Sequence, residues 1–120
     1  MWKNKITEAQ AKQIMSAGEL PQEMTGISGR VAVILTQSWC PQWAAMDAYL
    51  SRMAKAEKPE TGDLVVFYLC YDLLPFGEEF MHWKETRFSN YDIPFVLYYR
   101  DGVLKGSTNY VSESGFLGRF

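Results

Sequence analysis

Cys40 is the residue of this 120-residue chain best placed to do chemistry. It sits in Trp39-Cys40-Pro41-Gln42-Trp43, immediately ahead of a helical pattern. Trp43, Met46, Leu50 and Met53 recur on one face of that helix, with Tyr49 beside them. Pro41 suits the first turn, where its missing amide proton costs nothing. A thiol at such a position faces unpaired amide protons and the positive end of the helix dipole. Both favour the thiolate, which is the nucleophile of disulfide exchange. The expectation is an accessible, activated thiol; the alternative is an inert cysteine at a helix start.

The other candidates carry less. Cys70 stands near the end of an apolar run, where a free cysteine commonly acts as a small hydrophobe. It could instead pair with Cys40, provided the two Cα atoms come within about 7 Å. His82 is the one histidine, and Glu78, Glu79, Glu85 and Thr86 surround it at helical spacing, so it reads as a solvated face. One histidine and two separated cysteines make no zinc pattern, and no metal is expected. Glu78 and Glu79 are adjacent, so they point apart and form no acid–base pair. Gly26-x-x-Gly29 precedes a strand and lacks the Lys-Ser/Thr sequel of a phosphate loop. Tyr98 and Tyr99 have no neighbouring positive charge that would make a base-stacking platform.

The elements that must position Cys40 follow from punctuation and period. Thr7-Glu8-Ala9-Gln10 fits a capping box, opening a helix that turns Ile14 and Met15 inward and ends by Gly18 and Pro21. Val31 to Gln37 is apolar without strict alternation, as in a strand covered on both faces. The helix after Cys40 closes at Lys58-Pro59-Glu60-Thr61-Gly62. A second strand runs from Leu64 to Tyr71, and Asp72 to Gly77 connects it to a helix over about 78–89. Phe80, Trp83 and Phe88 mark that helix's inner face. Pro94 opens a third strand, Phe95 to Arg100, and Asp101-Gly102 predicts a tight hairpin into Val103 onward. Ser112 caps a short last helix containing Phe116 and Leu117. The order is α-β-α-β-α-β-β-α. Its two helical crossovers imply parallel pairing, and the hairpin adds an antiparallel edge.

Size and charge narrow the function classes. A chain of this length is expected to be one domain, spanning 1–120, with about 6,600 Å² of folded surface. Hydrophobic residues make up 48% and charged residues 22%, as in globular rather than disordered chains. A net charge of −2 argues against a strongly basic nucleic-acid binder. The longest apolar runs fall far short of the ~20 residues that span a bilayer, and the first residues lack a signal peptide's apolar stretch. No nucleic-acid or membrane partner is expected, and the expected location is cytoplasmic.

Together these residues resemble the thioredoxin family. Trp39-Cys40-Pro41-Gln42-Trp43 lies between a strand and a helix, where that family has Trp-Cys-x-x-Cys. Some fifty residues later, Asp92-Ile93-Pro94-Phe95-Val96-Leu97 matches the family's Ile-Pro segment, followed by the Asp101-Gly102 hairpin. The likeness covers about 31–120, and more loosely the first helix. It implies a thioredoxin-like α/β fold, with a mixed four- to five-stranded sheet sandwiched between helices. It also implies a cis bond at Ile93-Pro94 beside Cys40, exposing the Ile93 backbone to an extended substrate peptide.

Two departures bear on activity. Trp43 replaces the second cysteine, and an indole cannot attack a mixed disulfide. Ile34 stands where the family has a buried acid that assists proton transfer to that cysteine. The usual dithiol cycle through these positions is therefore excluded. Three routes stay open. Cys40 could form a mixed disulfide that glutathione, as external reductant, resolves; Cys70 could resolve it; or the domain could keep the peptide groove without redox chemistry. The leading expectation is monothiol thiol–disulfide exchange with protein or peptide partners. Cys40 would be the nucleophile, Ile93 and Pro94 would shape the groove, and Trp39 and Trp43 would flank it. The alternative is a redox-inactive binding module using the same surface. Trp43 also fits the apolar stripe, which would pack it beside Cys40. A peroxide-reducing enzyme fits less well, since Thr36 stands four residues before Cys40 and the related peroxidases use Thr-x-x-Cys.

Overall fold

The computed structural model describes residues 1–120. In chain order the elements are β1 (Trp2–Lys5), α1 (Glu8–Ala17), α2 (Gln22–Thr25), β2 (Arg30–Thr36) and α3 (Pro41–Ala56). Then follow β3 (Leu64–Cys70), α4 (Gly77–Phe88), β4 (Phe95–Arg100), β5 (Val103–Thr108) and α5 (Glu113–Leu117). One sheet holds all five strands in the order β1-β3-β2-β4-β5. β3 lies parallel to both β1 and β2, while β4 is antiparallel to β2 and to β5.

The sheet is buried on both faces by alternating residues. Val31, Val33 and Leu35 point into the layer with Ile14 and Phe80 of α1 and α4. Ala32 and Ile34 point the other way, toward Trp43, Met46 and Leu50 of α3 and Phe116 of α5. Every side chain from Val31 to Thr36 is buried, the continuous apolar pattern of a central strand with helices on both sides. This is the mixed, helix-flanked sheet of a thioredoxin-like fold.

Local signals behave as their chemistry requires. Thr7 accepts from the Gln10 amide at 3.1 Å, and the Gln10 side chain accepts from the Thr7 amide at 2.8 Å. Gly18 ends α1 with a φ of 76°. Asp101 and Gly102 both have positive φ, 51° and 80°, the backbone of a two-residue turn that matches strand twist.

Three features differ from expectation. β1 reads poorly because Trp-Lys-Asn-Lys has no alternation; it is a charged edge strand, tied down by Lys3, which meets Asp47 at 2.5 Å. α2 is a single turn after Pro21, too short to carry a period. The third correction concerns direction, because β4 does not run parallel to β2 as a crossover predicts. Ser89 ends α4 in the left-handed conformation, and the chain doubles back along the helix, so that Asp92 lies beside Lys84. It re-enters the sheet with Phe95 opposite Leu35, at the edge β2 and β3 have just left, and can only run the other way.

Candidate functional site

That shared edge is where the site is built. β2 ends at Thr36, and a tight turn closes with the Cys40 amide donating to the Gln37 carbonyl at 3.3 Å. Asp72, just beyond β3, fixes the turn from outside: its carboxylate accepts from the Ser38 amide at 2.8 Å and the Ser38 hydroxyl at 2.6 Å. Cys40 is the N-cap residue of α3, with Pro41 in the first turn. The Cys40 carbonyl accepts from the Ala44 amide at 3.0 Å.

The Cys40 side chain makes no capping hydrogen bond to α3. Its Sγ turns instead toward the Ile93 carbonyl oxygen, 3.9 Å away, at the long limit for a weak S–H donor. Cys40 as a residue is only 5% exposed, which corrects the expectation of an accessible thiol. The cause is local: the segment carrying Ile93 lies over the sulfur, and α3 closes the other side. The Ile93-Pro94 bond is cis, as the resemblance implies. Pro94 is buried and Ile93 half-buried. Neither the amide nor the carbonyl of Ile93 has a backbone partner, so this short edge has hydrogen-bonding capacity to spare.

The two tryptophans part company. Trp39 is 67% exposed, its indole N–H held by the Gln37 side chain at 2.7 Å. Trp43 is 5% exposed and stacks on Tyr68, ring centroids 5.5 Å apart. An aromatic rim at this edge is therefore formed without Trp43, whose place on the apolar stripe of α3 turns it into the core. Leu73 and Tyr91 are the other large exposed apolar side chains on segments that flank Cys40, in the connections after β3 and before β4. Neither was singled out in the sequence, where both read as ordinary loop residues.

Cys70 ends β3 opposite Thr36 and is half-buried and unpaired, as Cys40 is unpaired. Burial pushes its thiol up, and the carboxylates of Asp72 and Asp47 act in the same direction. Ile34 is fully buried. His82 is exposed on the outer side of α4.

Two further residues bear on the site. Asp72, which pins the Cys40 turn, looked like part of a plain connection. Lys84 is fully buried and reaches the Asp92 carbonyl at 2.7 Å. Its signal was available: Phe80, Lys84 and Phe88 are four apart, which puts a lysine on the inner stripe of α4.

No family model matches the chain, and none of the curated proteins matches it in sequence. Solved structures do resemble it in fold. Thioredoxin O1 from Arabidopsis thaliana, in its oxidized state, superposes with a TM-score of 0.63 at 13% identity, covering 97% of this chain and 92% of that one. A mutant thioredoxin from Halobacterium salinarum gives 0.64 at 11% identity, covering 97% and 85%. Trxlp from Edwardsiella tarda gives 0.59 at 18% identity, covering 96% and 94%. At these identities the likeness establishes a thioredoxin-like fold and nothing finer.

Proposed function

We propose that this protein carries out thiol–disulfide exchange through a single nucleophile, Cys40. The observation that carries the reading is the 3.9 Å approach of Sγ to the Ile93 carbonyl, on a backbone edge with no backbone partner. An extended peptide paired with Ile93 as an added strand would bring its own sulfur to Cys40. Exchange then requires the sulfur to open toward the partner, because the thiolate must reach the disulfide in line with the bond it breaks. The Cys40 thiolate bonds to one sulfur of a partner disulfide, and the other departs as a thiolate and takes a proton. A glutathione thiolate then attacks the Cys40 sulfur of the resulting mixed disulfide and displaces the partner thiolate, which takes a proton. A second glutathione thiolate attacks the glutathione sulfur now bonded to Cys40. Oxidised glutathione leaves and the Cys40 thiolate is restored. Trp43 cannot resolve the mixed disulfide, and burial and nearby carboxylates disfavour the Cys70 thiolate as a resolving nucleophile, which supports an external reductant.

The test is to incubate the folded protein with oxidised glutathione and map adducts by peptide mass. The expected result is an adduct on Cys40 that reduced glutathione removes and Cys40→Ser abolishes. An adduct on Cys70 alone, or none before unfolding, would contradict the reading.

A second reading is favoured by the contrast between Trp39 at 67% exposure and Cys40 at 5%. A pure binding module would use the exposed indole and the Ile93 edge while leaving the sulfur unused. In that case Trp39→Ala weakens partner binding and Cys40→Ser does not.

A further inference from the structure

A buried lysine is costly unless its amine is hydrogen-bonded. Lys84 is fully buried in α4, yet its partners are neutral oxygens. Its Nζ donates to Asn90 Oδ1 at 3.1 Å and to the Asp92 carbonyl at 2.7 Å, and it lies 5.4 Å from the centre of the Phe95 ring. Burial lowers the amine's hold on its proton, while Glu85 and Asp92 oppose that shift. The apolar stem reaches outward from the inner stripe of the helix and delivers the amine to the 90–94 segment.

The network continues past the lysine. Asn90 Oδ1 also accepts from the Asp92 amide at 3.1 Å, and Asn90 Nδ2 donates to Asn109 Oδ1 at 3.1 Å. Asn109 Nδ2 donates to Asn90 Oδ1 at 3.3 Å and to the Pro94 carbonyl at 3.0 Å. The carbonyls on either side of Ile93 are thus taken by side chains from α4 and from the connection after β5. Ile93, between them, keeps its amide and carbonyl out of the protein's backbone ladder.

We propose that Lys84 is the positioning residue of the Cys40 site, holding the 90–94 segment over the thiol together with Asn90 and Asn109. The arrangement secures Asp92 and Pro94 so that the Ile93 backbone stays free for a partner strand and fixed relative to Sγ. It applies equally to an exchange enzyme and to a binding module, so it rests on neither.

Iodoacetamide serves as an accessibility probe that needs no redox activity, with Cys70 as the internal reference. In Lys84→Met the stem is kept and the donor lost. The segment then opens locally, and the ratio of Cys40 to Cys70 alkylation in the folded protein rises about tenfold. Asn109→Ala releases the other end of the segment, and a rise in the same ratio is expected there. It carries the test alone if Lys84→Met does not fold. General destabilisation moves both cysteines together. A ratio unchanged in the folded variants, whether both rates rise in step or neither moves, would overturn the proposal. Because the readout is a ratio against the parent protein, a parent Cys40 that proves unreactive toward disulfides leaves this test intact.

Discussion

Cys40 and Cys70 differ in what surrounds their sulfurs, and the difference is measurable residue by residue. Cys70 is half-buried near two carboxylates, which together disfavour its thiolate. Its alkylation midpoint in the folded protein is expected above the ordinary thiol range, returning to that range in urea. The sign for stability follows from linkage: the folded state holds this proton more tightly than the unfolded one. The stabilisation is therefore present below the unfolded thiol's pKa and is lost as pH rises through the folded value. A Cys70→Ser variant that keeps the parent's loss of stability above pH 8 would refute this. The candidate site was legible at this scale wherever chemistry is local, as in a cysteine before a helix or an isoleucine before a proline. The inward turn of Trp43 needed its partner Tyr68, which comes from a different strand. The role of Asp72 needed Ser38, brought close only when β2 and β3 end at the same edge.

At the scale of elements, α4 starts under a close constraint. A Cβ built on Gly77 would clash with the Tyr71 carbonyl oxygen, a backbone atom that cannot swing aside. Gly77→Ala should cost about 1–3 kcal/mol, as overpacking does elsewhere, read from urea midpoints. Because Tyr71 and Asp72 would shift together, the Ser38 turn beside Cys40 should loosen as well. An unchanged midpoint would show that the start of α4 yields freely. Elements with strong local signals were readable: the capping box of α1, the apolar stripe of α3 and the Asp101-Gly102 turn. β1 was not, because an edge strand with two lysines owes its pairing to β3 rather than to its own composition. Nor was the direction of β4, since sequence shows that a helix intervenes but not that the chain doubles back after Ser89.

Over the whole molecule, the sheet separates two apolar layers, and the candidate site lies where strands end and backbone groups become available. The folded surface, 6406 Å², is close to what the chain's mass predicts for a single folded domain. Trp43 and Ile34 are both apolar and both lie in the layer between the sheet and α3. No helix is long and apolar enough to cross a membrane.

The central claim is that the folded edge makes Cys40 an exchanging thiol. The most direct measurement is the rate of glutathione mixed-disulfide formation at each cysteine, followed by peptide mass in the folded protein and again in urea. The account expects Cys40 to form the adduct in the folded protein, without prior unfolding, and at least about tenfold faster than Cys70 in that state. A Cys40 that reacts only as fast as the protein unfolds would contradict it and leave the edge around Trp39 and Ile93 as a binding surface alone.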